Sequence, residues 1–362
     1  MRIRSLSFLT VIVLYTFMSV APVARSEETP VFYKGLRPLG MGGAFTAVAD
    51  DENAIFYNPA GLNKIEGFGG LDLVNPYVEL SKYTAEFLID LRDVEDAETD
   101  SEQAALVSDL MERWMGRHFH LRTGAFPNLT VHNFGIGVLG QGYFDGEVHN
   151  FLGSDAVSIR AGYDIAGVMS LAYGLFDQTI QIGVTGKAIR RKIIDRDYTG
   201  ADLVNMDGIS IEDARAGTGI GADAGVIINL PLPLKPSIGA TIQNIGDIDL
   251  KEAGMIERQV NVGVALQPDL GIGTLTLAVD MMDAGKNLGS DKDTAKRLHA
   301  GAELKLRILS VRAGISQGYP TAGLTLDLWI VKFGYAYYVE EIGAYAGQRP
   351  DYRHLAQLSI GF

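Results

Sequence analysis

Apolar and polar side chains alternate with a period of two along much of this chain, and nowhere more regularly than in its C-terminal part. One set of positions holds Leu298, Ala300, Ala302, Leu304 and Leu306, and the other holds Arg297, His299, Gly301, Glu303, Lys305 and Arg307. Successive side chains of an extended strand point to opposite faces, so this pattern predicts strands with one apolar and one polar face. After residue 26, no apolar run is long enough for a membrane-spanning helix, and any spanning must be done by strands.

Similar segments recur from residue 67 to the end of the chain. They lie at residues 67–75, 119–126, 130–149, 156–173, 178–191, 219–229, 236–244, 258–267, 272–281, 297–307, 309–316, 323–328, 331–337 and 353–362. The longest of them could contain two strands each. Turn-forming stretches, Asn229–Pro236, Gln267–Gly271 and Gln317–Pro320, separate neighbours. The fold class is therefore all-β, an antiparallel transmembrane barrel of about 14 strands.

The barrel interior is predicted to carry charge. The polar positions of the C-terminal segments include Arg297, Glu303, Lys305, Arg307 and Arg312. Charges on that face need water or an oppositely charged partner. They either line a wet lumen or hold a plug in place through ion pairs.

Both chain ends indicate export to a membrane. Arg2 and Arg4 precede an apolar run that ends before Ala24-Arg25-Ser26, which predicts a cleaved signal peptide at residues 1–26. The last strand places Ala356, Leu358, Ile360 and Phe362 on one face. A terminal aromatic resembles the signal by which outer-membrane barrels are recognised for insertion. We therefore expect a bacterial outer-membrane location, with membrane lipid and the barrel-assembly machinery as partners of Phe362.

Composition excludes several classes of protein. The chain has no cysteine, which rules out disulfides, thiolate metal sites and a lipidated cysteine. Its formal net charge of −13 makes nucleic acid an unsuitable partner. No Pro/Ser-rich linker divides residues 65–362, so residues 67–362 are expected to form one barrel.

Residues 81–118 break the strand pattern. Apolar side chains recur there at helical spacing after an acidic stretch: Leu106, Val107, Leu110, Met111, Trp114 and Met115. An earlier piece with Phe87, Leu88 and Leu91 could pair with this helix. The result would be an extracellular helical cap over the barrel mouth. Leu110, Met111, Trp114 and Met115 then either capture an apolar ligand or pack against the barrel rim.

Residues 27–66 precede the first strand and are rich in small residues. They include Gly40-Met-Gly-Gly-Ala-Phe45, Ala49-Asp-Asp51 and Tyr57-Asn-Pro-Ala-Gly-Leu62. Compact sequence of this kind suits a segment folded inside a lumen. These motifs resemble the N-terminal hatch of the FadL-like outer-membrane proteins, and also the PorV/PorQ branch of that superfamily.

The resemblance implies a plugged barrel of 14 strands. In the FadL group the plug closes the lumen, and its shift opens a route for hydrophobic molecules such as long-chain fatty acids or hydrocarbons. In the PorV branch a similar barrel binds exported proteins at the cell surface. Asn58, Pro59 and Ala60 match the Asn-Pro-Ala turn of that hatch. The residues expected to form the plug and its gate are Gly40, Gly42, Gly43, Phe45, Phe56, Asn58, Pro59 and Ala60.

Other patterns are weaker. Gly135–Gly140 fits G-x-G-x-x-G but lies within strand sequence, without a helix to face a pyrophosphate. His118 and His120 share a strand face without a further ligand pair, and the acidic residues between 195 and 207 miss the calcium-hand spacing. Ser158, Ser310 and Ser316 are possible luminal hydroxyls, yet no G-x-S-x-G motif occurs. No enzyme activity, catalytic residue, metal or cofactor is predicted.

Overall fold

The chain folds into a closed antiparallel barrel of 14 strands. The computed structural model describes residues 31–95, 97, 99–149, 157–199, 214–288 and 293–362; the predicted signal peptide lies outside them. The strands are β1 (Phe68–Val74 and Tyr77–Ser81), β2 (His118–Ala125 and Asn128–Val131), β3 (Phe134–Val148), β4 (Val157–Leu175), β5 (Ile180–Tyr198), β6 (Arg215–Asn229), β7 (Pro236–Gln243), β8 (Gln259–Leu266), β9 (Thr274–Met281), β10 (Leu298–Lys305), β11 (Leu309–Ser316), β12 (Tyr319–Asp327), β13 (Val331–Glu341) and β14 (Pro350–Gly361). The predicted fold class and strand number are confirmed.

Closure occurs between the first and the last strand. Strand β14 pairs with β13 on one side and with both parts of β1 on the other. The Phe362 ring is 67% exposed on the outer surface and stacks on Phe68 at a centroid distance of 6.4 Å. Along β14, Tyr352, His354 and Ile360 point outward, while Asp351 and Arg353 are buried inside. The alternation predicted for this strand therefore separates lipid-facing from lumen-facing positions.

The two rims of the barrel differ in their connections. Short turns at residues 132–133, 176–179, 230–235, 267–273, 306–308 and 328–330 lie at the rim that holds Phe68 and Phe362. The opposite rim carries the long connections, as the extracellular rim of outer-membrane barrels does. Strands β4 and β5 have 19 residues each and project beyond a band about 25 Å tall. Segments 156–173 and 178–191, long enough to hold two strands, are thus parts of single strands.

Residues 81–118 form a helical hairpin, α3 (Thr84–Glu95) and α4 (Asp100–Trp114), that packs against the outer wall. His118, His120 and Arg122 of β2 point into the lumen, so Phe119 points out, yet it is only 1% exposed. Phe87 stacks on it at 3.8 Å and Trp114 meets it edge-on at 5.5 Å. The predicted cap over the mouth is therefore corrected: the apolar stripe is buried against outward aromatic and aliphatic side chains of β2, β3 and β4. No helix in the described ranges is long and apolar enough to cross a bilayer.

Residues 31–65, here called the luminal segment, lie inside the barrel. They contain α1 (Leu36–Gly40), α2 (Ala54–Tyr57) and a 3₁₀ helix at Pro59–Lys64, and they supply most of the main apolar core. A small hairpin, Ile248–Asp249 with Met255–Ile256, also folds inward, around a 3₁₀ turn at Lys251–Ala253. Another 3₁₀ turn, Ala295–Arg297, precedes β10.

Inward glycines let the luminal segment approach the wall. A β-carbon at Gly183 would lie 2.3 Å from the Pro59 carbonyl carbon, and one at Gly301 would lie 2.1 Å from the Met41 oxygen. At Gly135, in the G-x-G-x-x-G stretch, a β-carbon would lie 2.9 Å from the Ile55 side chain. The glycines that resembled a nucleotide motif therefore include positions that make room for packing.

We expect Gly183→Ala to destabilise the barrel with its luminal segment in place. The added carbon would collide with backbone atoms of Pro59 and Ala60, and overpacking of this kind costs about 1–3 kcal/mol. The measurement is the thermal midpoint at which purified protein loses the fast electrophoretic mobility of a folded barrel. Gly186→Ala is the control, because a β-carbon at Gly186 would have no other atom within 4 Å. Equal midpoints for the two variants would contradict the close approach.

Candidate functional site in the barrel lumen

A single carboxylate of the wall anchors the middle of the luminal segment. Asp280 of β9 accepts hydrogen bonds at Oδ2 from the amides of Phe45, at 2.7 Å, and Thr46, at 2.6 Å. Its side chain is 1% exposed. Two amide donors to one carboxylate oxygen satisfy backbone groups that no strand ladder could reach.

Asn58 ties the segment both to itself and to the wall. Its amide nitrogen donates to the carbonyls of Thr46, at 2.8 Å, and Val226 of β6, at 3.2 Å, while its side-chain oxygen accepts from the Ala60 amide. The side chain caps the 3₁₀ helix that Pro59 begins. Asn58, Pro59 and Ala60 thus form one turn, seated on inward glycines of β5 and β6.

The glycine group predicted for the gate lies against β10 to β12. Gly42 and Gly43 have φ values of +66° and +87°, which glycine adopts without strain. A β-carbon at Gly42 would lie 2.6 Å from the carbonyl oxygens of both Ala300 and Ile315, and one at Gly40 would lie 3.0 Å from Gly323. Glycine is therefore required by both conformation and space.

Charged side chains hold the segment near the short-turn rim. Arg37 pairs with Glu303 of β10 at 2.6 Å and with Asp50 and Asp51, and Arg312 pairs with the same Glu303 at 2.5 Å. Of the predicted luminal charges, Glu303 therefore anchors the segment through its ion pair with Arg37, and Arg312 pairs with the same carboxylate from the neighbouring strand.

The other predicted luminal charges have different environments. Arg297 is buried, with its Nε 3.7 Å from Asp283, whereas Lys305 and Arg307 are exposed at the short-turn rim. The lumen is thus charged by paired groups, and the two rim cations reach water.

Two groups of the luminal segment near that rim have shifted pKa values. Burial would raise the pKa of Asp50, but attraction to Arg37 and Lys64 prevails and lowers it to about 2. Burial lowers the pKa of Lys64 to about 8, against the opposing pull of Asp50. Lys64 also donates to the carbonyls of Ala47, at 2.7 Å, and Val48, at 3.0 Å.

A second charged network lies toward the long-loop rim. Glu79, fully buried, accepts from His120 at 2.8 Å, from Arg122 at 2.5 Å and from the Tyr338 hydroxyl at 2.5 Å. Arg353 lies 3.8 Å from the same carboxylate. Sequence reasoning did not single out Glu79 or Arg353, although their inward position in alternating strands was the available signal.

Between the two charged networks the lumen is aromatic. Tyr33 stacks on Phe56 at 4.2 Å, and Phe56 meets Phe126 of the barrel wall at 4.9 Å. Phe45 meets Tyr57 edge-on at 5.5 Å. Both phenylalanines predicted for the gate therefore sit in this cluster, 0% (Phe45) and 5% (Phe56) exposed.

The barrel wall beside Phe126 lacks regular strand pairing. Strand β1 is interrupted at Asn75-Pro76 and the neighbouring β2 at Phe126-Pro127, because proline cannot donate to a ladder. The Asn75 side chain replaces the missing pairing: it donates to the Phe126 carbonyl at 2.6 Å and accepts from the Phe126 amide at 2.6 Å. One amide side chain thus closes adjacent breaks in two strands.

Two adjoining cavities lead inward from the side of the long-loop rim. The larger holds about 730 Å³ of empty space, partly open to solvent, beside Leu39, Gly43, Tyr57 and Tyr338, with charged groups such as Lys296 and Glu340 on its wall. The smaller, about 400 Å³, lies beside Phe32, Tyr33 and Phe56. Their linings combine apolar and polar groups.

The residues predicted to capture a ligand differ in how far they are exposed. Leu110 and Trp114 are 8% and 5% exposed, since they pack into the hairpin contact with β2. Met115 is 50% exposed, and the Met111 side chain lies outside the described part of the chain. Leu110 and Trp114 therefore present no capture surface, and the alternative of packing against the barrel describes them.

The histidine pair and Ser158, from which no site was predicted, form hydrogen bonds with neighbouring side chains of the barrel. His118 Nδ1 lies 3.2 Å from Asp351, and His120 is hydrogen-bonded to Glu79 and Asp145. Among the described residues, no group of three histidine, aspartate or glutamate side chains is arranged to hold a metal ion. Ser158 donates to Asp197 at 2.7 Å and lies 2.9 Å from His149 Nε2. This places the serine between histidine and carboxylate, unlike a triad in which histidine is central. Asp202 and Asp207 lie outside the described residues.

Solved structures with the same fold include a FadL homologue and a hydrocarbon channel. A FadL homologue from Pseudomonas aeruginosa is 12% identical, with a TM-score of 0.52 over 92% of this chain and 99% of that one. A deletion mutant of the TodX monoaromatic hydrocarbon channel is 10% identical, with a TM-score of 0.51 over 91% and 97%. No protein-family model and no curated protein sequence matches the chain.

These comparisons identify the fold of the chain. The chain has the fold of that FadL homologue: a closed 14-strand antiparallel barrel whose apolar outer face suits a lipid bilayer. The resemblance seen in the hatch motifs is confirmed at the level of fold.

We expect Asp280→Ala to loosen the luminal segment. Hydrogen bonds to a charged group contribute about 1.5–3 kcal/mol each, and the substitution removes two. Because the chain has no cysteine, Val48→Cys provides a single buried thiol, and its maleimide labelling rate reports opening of the segment. Labelling should accelerate about tenfold or more when Asp280→Ala is added. Asp249→Ala, at an exposed hairpin carboxylate, should leave the rate unchanged; an unchanged rate for both would reject the anchor.

Proposed function

We propose that this barrel passively admits small hydrophobic molecules through the outer membrane, with residues 27–66 acting as a plug that gates the route. The observation that carries the proposal is the aromatic cluster of Tyr33, Phe56 and Phe126, which links the luminal segment to an interrupted part of the wall. In support of it, TodX, whose structure shares this fold, is a monoaromatic hydrocarbon channel.

The route begins at the cavities on the side of the long-loop rim. From the larger cavity a ligand meets Tyr57, and from the smaller one it meets Phe56. An apolar molecule can take the place of one ring against a neighbouring ring without breaking a hydrogen bond. The cluster then ends at Phe126, where the wall is closed by the Asn75 side chain.

The gate is the luminal segment. Its polar anchors are local: Asp280 holds Phe45 and Thr46, and Glu303 holds Arg37. A shift that keeps the Arg37 pairs but releases the Asp280 contact would open space beside the aromatic cluster. Transport of this kind follows the concentration gradient and requires no cofactor.

A reversible tether tests the gate. The pair Ala47→Cys and Ser237→Cys places one thiol in the luminal segment and one in β7, at a contact where the Ser237 hydroxyl donates to the Ala47 carbonyl at 3.2 Å. Oxidation is expected to join the two thiols in a disulfide. Cells that lack their own hydrophobic-compound channels should take up labelled toluene or oleate when they express the wild-type chain. Oxidised double-cysteine protein should block that uptake, and a reductant should restore it.

The same cells distinguish the alternative function. A PorV-like role in protein secretion predicts stable co-purification of exported proteins, with uptake no greater than in cells without the chain. Uptake that is equal in the oxidised and reduced states would reject gating by the segment, and absence of any uptake would reject transport altogether.

Phe126 tests the path of the route. We expect Phe126→Leu to raise uptake severalfold, because a smaller side chain opens the luminal side of the wall interruption. The cost in stability should be about 1–2 kcal/mol, below that of truncation to alanine. Phe119→Leu is the matched control, since Phe119 is an equally buried ring of the same strand on its outer face. Equal uptake by both variants would place the route elsewhere.

A further inference from the structure

Strand β5 carries an unusual feature on its outer face. Arg190, Lys192 and Arg196 point outward, opposite to the buried luminal residues Lys187 and Ile189 and to Arg191, which binds Asp164 at 2.7 Å. Across the barrel strands that the structure describes, outward-facing lysine or arginine occurs on β5 alone. Elsewhere the outer face of the strands is made of apolar and small neutral side chains, apart from occasional groups such as His354.

The outward side chains of the neighbouring strand β4 show at what depth in the membrane Arg190 and Lys192 lie. On β4 the outward face runs from Tyr173 through Leu171, Met169 and Ile165 to Tyr163, with Tyr173 62% and Tyr163 39% exposed. Ten residues of strand at a tilt of about 40° span about 25 Å, the height of an outer-membrane apolar band. The two tyrosines therefore mark its two interfaces.

Arg190 and Lys192 lie at the upper of these interfaces. Lys192 pairs with Tyr163 and Arg190 with Ile165 across the β4–β5 ladder. On the other side their partners in β6 are Ala216 and Thr218. None of these four neighbours is charged, and within the described ranges neither cation forms an ion pair with a carboxylate.

Two cations two residues apart on one strand face are neighbours along the strand and can reach one anionic group. Ile159, also outward on β4, lies above Tyr163 and already packs under the helical hairpin. The pair is thus bounded below by the apolar band and above by the hairpin. Only the headgroup layer of the outer leaflet lies at that height.

We propose that Arg190 and Lys192, with the Tyr163 ring beside them, form a binding site for the phosphate of a lipid headgroup in the outer leaflet. The guanidinium and ammonium groups neutralise the phosphate, and the apolar surface of β4 receives the acyl chains. The site is independent of the lumen and of the proposed transport.

Lipid binding to the purified, detergent-solubilised mature protein tests the site. The probes are diphosphorylated lipid A and the same lipid after enzymatic removal of its phosphates, and native mass spectrometry counts the bound molecules. The wild type should prefer the phosphorylated form, and rising salt should weaken that binding. Arg190→Ala with Lys192→Ala should weaken it about tenfold or more.

Lys251→Ala with Arg258→Ala is the control, because it removes the same charge from exposed positions beyond the strands. Equal binding of the two probes by the wild type, or full binding by the Arg190/Lys192 variant, would overturn the proposal. If the alanine variant does not fold, Arg190→Gln decides the question, because it removes one cation of the pair and keeps a polar side chain. Binding of the phosphorylated probe that is unchanged in Arg190→Gln would reject the site.

Discussion

A closed barrel of 14 strands encloses more space than its own inward side chains fill, so other parts of the chain must occupy the interior. Most of the structure follows from this requirement. The luminal segment brings backbone amides and carbonyls into a region without strand partners, and each needs a hydrogen bond. Asp280, Asn58 and Lys64 provide several of them. The inward glycines of β5, β6, β7 and β10 provide the space.

The interior is ordered in layers along the barrel axis. Ion pairs around Glu303 lie toward one rim and those around Glu79 toward the other, with the rings of Phe45, Phe56 and Phe126 between them. Buried ion pairs contribute little net stability because desolvation opposes attraction, but removal of one partner is costly. They therefore fix where the luminal segment sits. The aromatic rings between the two networks bury apolar surface and, unlike the ion pairs, do not need a specific charged partner.

The sequence predicted the barrel well because strand alternation is a local property. The outward Ile360 and inward Arg353 of β14 follow from parity alone. Gly42 and Asn58 were singled out from the sequence because unusual backbone demands restrict residue choice. The position of the helical hairpin was mispredicted, since an apolar stripe with Leu110 and Trp114 shows that a helix packs but not on which side of a wall. What decided it was Phe119, an outward aromatic whose burial only the tertiary structure reveals.

The pairing of distant charges was also beyond the sequence. Arg37 and Glu303 are separated along the chain by most of the barrel, and no spacing rule connects them. Under the proposed function this arrangement explains selectivity. A polar solute entering the lumen would have to displace charges that already have partners, and each separated pair leaves a buried charge behind. A hydrophobic molecule exchanges ring contacts at Phe56 for contacts of its own, at little electrostatic cost. The paired charges would then exclude polar molecules, while the aromatic layer admits apolar ones.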